Sequence, residues 1–376
     1  MLKIVFRTDS SLKIGNGHVM RCLAMAEALK AQGAKCHFIS RAHPGHLISV
    51  IRQRGFAITS LPETITDRTA DNFVASAESF ELGHTNWLGC DWETDAKQTR
   101  VILANLHPDW LVVDHYAIDQ RWEIALKPFY KKLMVIDDLA DRPHACDLLL
   151  DQNLGRKSDA YTQLTPSSCK VLSGSQFALL RPEFAVMRPY SLQRRHRPIL
   201  KHLLISMGGV DSLNTTGKVL EVLKLCSMPQ DLSINVVMGL NAPWQQDVSV
   251  KAKSMPWPTN VYVNVSDMAK QMTDSDLVIG AAGTTSWERC CLGVPSLMIV
   301  LADNQREIGE SLARFGAAIL LKNQSKDDLN LSLTKAIMDI LSGKASLNNL
   351  SYAASNVTDG AGMSRVIAQM VSETSK

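Results

Sequence analysis

The chain has 376 residues, of which 45% are hydrophobic and 20% are charged. This length and balance predict two globular domains that each bury their own core, and they exclude a wholly disordered chain. Lys and Arg number 40 against 37 Asp and Glu, so the net charge is only +3, which argues against nucleic acid or an anionic membrane surface as the main partner.

The eight cysteines include no CxxC pair, and the ten histidines include no HxxxH pair. This spacing argues against a zinc site or a thioredoxin motif, and eight reduced thiols in a cytoplasmic protein are the simpler interpretation. We also expect no metal site and no cofactor. A strand pattern begins almost at the first residue, and no run of ~18 apolar residues occurs, so we expect neither a signal peptide nor insertion into a membrane.

Short β-branched runs alternate with amphipathic helical stretches, which is typical of parallel sheets covered by helices on both faces. The predicted strands of the first half are Lys3–Phe6, Lys35–Ser40, Trp110–Asp114, Leu133–Asp137 and Leu148–Leu150. Those of the second half are His202–Met207, Ile234–Met238, Val261–Val265, Leu277–Ile279, Ser296–Val300 and Ala318–Leu321. The predicted fold class is α/β, with two Rossmann-like doubly wound domains, 1–190 and 198–376, that face each other across a cleft.

Two segments interrupt this pattern. Pro62–Thr99 is polar and irregular, and we interpret it as an insertion or a partly helical stretch. Arg188–Pro198 holds four arginines and two prolines; it suits a phosphate-binding patch, but a solvated linker that acts as part of a hinge is the favoured interpretation. Ligands of open α/β sheets bind beyond the carboxyl ends of the strands, so we expect the site residues in the loops that follow strands.

The loop after the first strand reads Arg7-Thr-Asp-Ser-Ser-Leu-Lys-Ile-Gly-Asn-Gly-His18 and opens a helix that Gly33 ends. Gly15 and Gly17 let the backbone approach a ligand, and free N–H groups at a helix start favour an anion or an oxygen-rich ring. The loop is neither a GxGxxG dinucleotide fingerprint nor a Walker A loop. One apolar helix face is predicted to be buried, formed by Val19, Cys22, Leu23, Ala26 and Leu29.

His18 stands at the positive end of this helix, which disfavours an imidazolium, so we expect a neutral ring that can take a proton from water. A histidine that only caps the helix or packs against the sheet is the alternative, and the loop alone weighs the two evenly. Asp9, where the first strand ends, either orients the imidazole or the water, or caps a turn.

Two further loops of the first half carry polar groups. In Asp114-His115-Tyr116, Tyr116 is placed to contact a sugar, whereas Asp114 is expected to fix the turn. The carboxylates of Asp137 and Asp138 could bind Mg²⁺, but the sequence offers no third ligand beside them, so a turn role is favoured.

In the second half, Gly208 and Gly209 follow a strand. The run Gly280-Ala-Ala-Gly-Thr-Thr-Ser-Trp-Glu288 places small residues and hydroxyls at a helix start, which suits a diphosphate, with Glu288 able to accept hydrogen bonds from ribose hydroxyls. Thr285-x-x-Glu288 is also a capping box, in which Glu288 would only satisfy the backbone.

After the Ser296–Val300 strand come Asn304 and Gln305, whose side-chain amides suit sugar hydroxyl or acetamido groups. Five motifs therefore occur along the chain in a fixed order: Arg7-x-Asp9-x-x-x-x-Ile14-Gly-x-Gly-His18-x-x-Arg21, Asp114-His-Tyr116, Met207-Gly-Gly-x-Asp211, the small-residue loop to Glu288, and Asn304-Gln305. Together they resemble the UDP-2,4-diacetamido-2,4,6-trideoxy-β-L-altropyranose hydrolase family of pseudaminic acid biosynthesis. The resemblance runs to about Ala313 and returns at Asp359-Gly-x-Gly362.

The resemblance implies the two-domain GT-B architecture, similar to the glycosyltransferase that completes lipid II. It implies metal-free hydrolysis at the anomeric carbon, with His18 as general base, the first domain beside the sugar and the second domain holding the UDP. The Pro62–Thr99 stretch is longer than this fold needs. The predicted substrate-binding residues are Asp9, Gly15, Gly17, Arg21, Tyr116, Gly208, Gly209, Gly283, Thr284, Glu288, Asn304 and Gln305.

Two other functions compete with hydrolysis. A GT-B glycosyltransferase would pass the sugar to an acceptor, but the sequence lacks the basic amphipathic helix that a membrane-bound lipid acceptor calls for. A non-enzymatic sensor of sugar nucleotides would leave His18 without a chemical purpose. The expected partners are therefore a UDP-sugar substrate and its UDP product, with no nucleic acid.

Overall fold

The computed structural model describes residues 1–63 and 83–374. Two compact units divide the chain. Unit 1 comprises Met1–Gln152, Arg156–Ser173 and Ser364–Lys376, and unit 2 comprises Asn153–Gly155 and Gly174–Met363. Among the described helices, none is long and apolar enough to cross a membrane.

Unit 1 is built on a seven-stranded parallel sheet in the order β3-β2-β1-β4-β5-β6-β7. Its apolar core includes Val5, Ile39, Leu111 and Trp122. The strands are β1 Lys3–Thr8, β2 Lys35–Arg41, β3 Ala57–Leu61, β4 Trp110–Asp114, β5 Lys132–Ile136, β6 Leu148–Asp151 and β7 Lys170–Ser173. The helices are α1 Gly17–Ala31, α2 Ile48–Gln53, α3 Trp92–Leu106 and α4 Gln120–Leu126, with 3₁₀ helices at Thr85–Trp87, Lys127–Phe129 and Ser158–Tyr161.

Unit 2 has a six-stranded parallel sheet in the order β10-β9-β8-β11-β12-β13, with two buried apolar clusters. The strands are β8 His202–Ser206, β9 Ser233–Met238, β10 Thr259–Val263, β11 Leu277–Ala281, β12 Ser296–Ile299 and β13 Ile319–Leu321. The helices are α5 Pro182–Arg194, α6 Thr215–Leu223, α7 Gln245–Lys253, α8 Met268–Asp274, α9 Thr285–Cys291, α10 Arg306–Arg314, α11 Lys326–Leu341 and α12 Leu347–Ser355, with 3₁₀ helices at Ser175–Phe177 and Asp303–Gln305.

The last helix, α13 Gly362–Thr374, returns to unit 1 for most of its length. Its residues Val366 and Met370 are buried. Trp110 of β4 donates its indole N–H to the hydroxyl of Thr374 at 2.8 Å. The predicted second domain, 198–376, therefore extends too far, because its final helix belongs to unit 1 and packs there.

All eleven predicted strands are confirmed within two residues at each end. Sequence reasoning missed β3 and β7, which form the two edges of the unit 1 sheet. Most residues of both strands are at least partly exposed. An edge strand lacks the continuous apolar run that marks a strand buried on both faces.

The expected solvated linker at Arg188–Pro198 is wrong, since most of it belongs to α5 in unit 2. Arg188 donates to the main-chain carbonyls of Cys291 and Ser355 at 2.5 and 2.8 Å. Arg195 is buried and donates to carbonyls near the end of α8. These arginines bind the carbonyl groups at helix ends. The chain therefore passes between the units at 152–156, 173–174 and 363–364, not at 190–198.

Part of the polar stretch Pro62–Thr99 lies outside the described residues, at 64–82. The rest contains a 3₁₀ helix and the start of α3, so the expectation of a partly helical stretch is confirmed for the described part. Asp91 caps α3 by accepting a hydrogen bond from the main-chain N–H of Thr94 at 2.7 Å.

Candidate active site

The loop between β1 and α1 is a tight turn that leads directly into the helix. The N–H of Gly15 donates to the carbonyl of Ser11 at 2.8 Å, and the Ser11 hydroxyl accepts from the N–H of Ile14 at 2.9 Å. Gly15 has φ +80°, where a side chain would be strained. The predicted apolar face of α1 is buried, which fixes the rotation of the helix: Val19, Cys22, Leu23, Ala26 and Leu29.

His18, in the first turn of α1, is held by the carboxylate that ends β4. Its Nδ1 lies 2.6 Å from Oδ1 of Asp114. Arg21, one turn further along the same helix face, binds both Asp114 oxygens at 2.6 Å and reaches Asp138 at 2.5 Å. The sequence pattern predicted only a turn role for Asp114, but this carboxylate is the group that orients the imidazole.

This arrangement gives the two nitrogens of His18 different roles. Burial alone would raise the pKa of Asp114, but Arg21 and His18 hold it well below its ordinary value, so the carboxylate stays ionised. In a neutral ring, Nδ1 then carries the proton that Asp114 accepts, and Nε2 carries the lone pair. Within the part of the chain that the structure describes, Nε2 has no hydrogen-bond partner. That the ring is neutral stays a prediction.

Asp9 does not take the orienting role that we considered for it. Its Oδ1 accepts from the Arg7 guanidinium at 2.6 Å and from the main-chain N–H of Arg41 at 2.7 Å. Its Oδ2 lies 3.2 Å from Nε2 of His115. Burial favours the neutral acid, but Arg7 and His115 keep the pKa of Asp9 well below its ordinary value. Asp9 is therefore part of a buried ion network at the ends of β1 and β2, and its contacts are with these groups rather than with His18.

Trp87 and Tyr116 lie beside His18, and His84 packs against both of them; we call these three side chains the aromatic wall. The Tyr116 ring stands edge-on to the imidazole at 4.6 Å, and its hydroxyl donates to Asp138 at 3.0 Å. Trp87 stacks on Tyr116 at 5.7 Å, and His84 lies 4.4 Å from Trp87. Sequence reasoning missed His84 and Trp87, because they sit in a stretch that shows no periodicity.

Asp137 and Asp138 have separate structural partners. Asp137 accepts from the N–H of Ala140 at 2.9 Å and pairs with Arg142 at 2.9 Å, which confirms its turn role. Asp138 instead binds Arg21 and Tyr116, so it belongs to the surroundings of His18. Over residues 1–63 and 83–374, no three His, Cys, Asp or Glu side chains are grouped so as to hold a metal ion.

The glycine loop after β8 approaches the loop after β9 closely. Gly208 has φ +85°, and a Cβ on Gly239 would stand 2.0 Å from the carbonyl oxygen of Gly209. Asp211 accepts from the N–H groups of Thr215 and Thr216 at 2.8 and 2.9 Å, at the start of α6. A side chain would therefore strain the backbone at Gly208, and at Gly239 it would collide with the backbone of Gly209.

The loop after β11 leads into α9, whose N-cap is Thr284. No side chain caps this helix, so the capping-box interpretation of Glu288 is wrong. The Glu288 carboxylate instead lies 3.7 Å from Arg181. Burial disfavours its charged form and, against the opposing effect of Arg181, raises the pKa of Glu288 to about 7.

The structure brings Gln305 close to this loop. Its amide nitrogen lies 3.7 Å from where a Cβ of Gly283 would stand, and its Oε1 accepts from the N–H of Leu301 at 3.0 Å. Asn304 precedes it in the 3₁₀ helix Asp303–Gln305. The loops that follow β11 and β12 in unit 2 therefore come close together at Gly283.

Comparison with known proteins agrees with this organisation. Residues 205–365 match the Glycosyltransferase family 28 C-terminal domain. Over 323 residues the chain is 27% identical to the UDP-2,4-diacetamido-2,4,6-trideoxy-β-L-altropyranose hydrolase of Campylobacter jejuni, covering 85% of this chain and 100% of that protein. Over 334 residues it is 25% identical to an uncharacterized protein of Methanocaldococcus jannaschii, covering 88% of this chain but spanning only 60% of that longer protein.

Among solved structures, MurG of Acinetobacter baumannii matches with a TM-score of 0.67 at 16% identity, covering 99% of this chain and 100% of that one. The structure of S. aureus MnaA with UDP matches with a TM-score of 0.61 at 13% identity, covering 98% and 95%. At such identities the likeness bears on the fold alone. Two Rossmann-like parallel-sheet domains and these neighbours show that the chain has the GT-B fold.

Proposed function

We propose that the chain is a UDP-sugar hydrolase that cleaves a UDP-linked diacetamido-trideoxy sugar into UDP and the free sugar. The observation that carries the proposal is the His18–Asp114 pair, with Nδ1 held at 2.6 Å and Nε2 left for a water molecule. A histidine held in this way can remove a proton from water as it attacks the anomeric carbon.

The contacts of Asp114 support a base at His18 rather than a covalent route. Both carboxylate oxygens are engaged by Arg21, and one of them also by His18. A carboxylate fixed in this way stabilises the imidazolium that forms and is not placed to attack the sugar. A single displacement by water then inverts the configuration at the anomeric carbon.

We assign the UDP to unit 2. The proposed contacts are the backbone of Gly283 and Thr284 for the diphosphate and Glu288 for the ribose. Further proposed contacts from the same unit are Gly208, Gly209, Asn304 and Gln305. The match of residues 205–365 to a glycosyltransferase C-terminal domain supports this assignment. Backbone N–H groups would stabilise the charge that develops on the departing diphosphate.

On the sugar side, Gly15 and Gly17 remain proposed backbone contacts and Tyr116 a proposed side-chain contact. Arg21 and Asp9 keep a different role from the one expected for them. Their polar atoms bind other buried side chains, so we propose that they hold the loops that carry the site.

A glycosyltransferase is the second candidate, and the family 28 match is the observation that favours it. Incubating the purified chain with the UDP-linked diacetamido-trideoxy sugar, without any acceptor, separates the two. We expect UDP and free sugar in equal amounts. Release of UDP only after an acceptor is added would show a transferase, and binding without any release would show a sensor.

A further inference from the structure

Trp87 takes no part in the proposed proton transfer, yet it lies against the groups that do. Its ring is stacked on Tyr116, with centroids 5.7 Å apart and planes 25° apart. It stands edge-on to His18 at 6.2 Å. His84 adds a third ring, 4.4 Å from Trp87 and 5.5 Å from Tyr116. The aromatic wall therefore begins directly beside the candidate base.

The segment that carries Trp87 is anchored on its C-terminal side. Leu88 is buried, and Gly89 has φ +76°, with His43 only 2.7 Å from where a Cβ would stand. Three residues into α3, the buried Asp95 binds Arg7 and Arg41, each at 2.7 Å. These contacts fix the start of α3 and the turn before it, so the indole is held in place against Tyr116.

The wall offers apolar surface where the sugar would react. Tyr116 is only 5% exposed, whereas Trp87 and His84 are both partly exposed, so these two contribute most of the accessible ring surface. A flat aromatic face packs well against C–H groups and methyls but cannot satisfy a row of hydroxyls. A sugar whose anomeric carbon approaches Nε2 of His18 must bring its ring substituents near this surface.

We propose, resting on the proposed function, that the aromatic wall recognises the apolar substituents of the sugar and that Trp87 is a specificity-determining residue. The chemical class it selects is a deoxy sugar with acetamido groups, which presents methyl groups where an ordinary hexose presents hydroxyls. Each methyl buried against the indole adds to the affinity for this class and adds nothing to the affinity for UDP alone.

The test compares three ligands on Trp87→Ala and on the unaltered chain: the diacetamido-trideoxy UDP-sugar as substrate, and UDP-N-acetylglucosamine and UDP as inhibitors. We expect the KM of the substrate to rise roughly 10-fold or more, because contacts of one or two methylenes discriminate by about that factor. The inhibition constant of UDP-N-acetylglucosamine rises less, that of UDP does not change, and Trp87→Phe retains most of the preference.

Trp92→Ala is the matched control, since Trp92 is a partly buried indole five residues further on that faces Arg121 at 5.6 Å instead of the wall. It leaves the preference unchanged. If Trp87→Ala shifts all three constants equally, or none, the inference is overturned and the indole only packs the segment. If the unaltered chain binds these ligands but hydrolyses none of them, the proposed function fails, and this inference fails with it.

Discussion

The two ring nitrogens of His18 have different surroundings, and the proposed mechanism gives each of them a different task. Asp114 accepts from Nδ1, while Arg21 neutralises and fixes Asp114. In the proposed mechanism, this ion pair would keep the carboxylate from taking the proton itself, so that the proton removed from water would remain on the imidazole. The Tyr116 ring stands edge-on to this imidazole, with centroids 4.6 Å apart.

The first residue-scale prediction concerns His18→Ala. We expect kcat to fall by ~10²–10⁴ with little change in KM, because the lost group acts on water in the transition state and does not bind the substrate. His37→Ala is the control, since the ring of this half-buried histidine of the same unit bonds the hydroxyl of Thr59, away from His18. Near-normal turnover in His18→Ala would mean that the ring packs the helix start and performs no catalysis.

Residues whose motif lies within one short stretch of sequence could be identified from the sequence. Residues whose role depends on contacts between distant segments could not. His18 and Tyr116 follow strand ends and could be singled out. The role of Asp114 was misjudged, because its contact with His18 spans 96 positions. Trp87 could not be found, because a lone indole in an aperiodic stretch carries no signal until the fold sets it on Tyr116.

At the scale of elements, the short helix α9 carries an acid, Glu288, that does not cap the helix. Its N-cap has no side-chain bond, and Glu288 faces Arg181 across 3.7 Å. Burial raises the pKa of Glu288 from 4.5 to about 7. Between these pH values the folded chain binds more protons than the unfolded chain, so this residue's contribution to stability is present near pH 4.5 and is lost as the pH rises through 7.

Glu288→Gln removes that titration, so the variant should be more stable than the unaltered chain at pH 8 by about 1–3 kcal/mol, with little difference at pH 5. If Glu288 also binds ribose, UDP affinity falls roughly 10-fold as the charged acceptor is lost. Urea unfolding at both pH values, with UDP titrated into the folded variant, measures both effects. An equal loss of stability at both pH values, with UDP binding intact, would contradict this account and restore a capping role.

Elements were predictable where burial on both faces imposes a continuous apolar run, as in β4 or β11. The edges of the unit 1 sheet, β3 and β7, were missed, since an exposed edge tolerates polar side chains, whereas β10 and β13, the edges of the unit 2 sheet, keep enough apolar residues to be predicted. The segment Arg188–Pro198, most of which is in α5, was predicted to be a linker because its arginines were interpreted as exposed to solvent. The carbonyl groups that they satisfy belong to distant parts of unit 2 and are invisible in the local sequence.

At the scale of the whole molecule, two parallel-sheet units of one chain carry different candidate chemistry. Unit 1 holds the histidine, its ion pair and the aromatic wall, and unit 2 holds the glycine loops and Glu288. The number of domains and their class followed from the repeated alternation of strands and helices. The return of α13 to unit 1 did not, because packing against Trp110 leaves no mark in the sequence of that helix.

The account depends on water attacking the sugar and not the phosphorus, and isotopic labelling tests this directly. The chain is incubated with its UDP-sugar in ¹⁸O-labelled water, and the mass of the released UDP is measured, since phosphate oxygens do not exchange whereas the anomeric hydroxyl of a free sugar slowly does. With His18 activating water at the anomeric carbon, the label enters the sugar and the UDP stays unlabelled. A UDP that carries ¹⁸O on its terminal phosphate would show attack at phosphorus and would contradict the role assigned to His18.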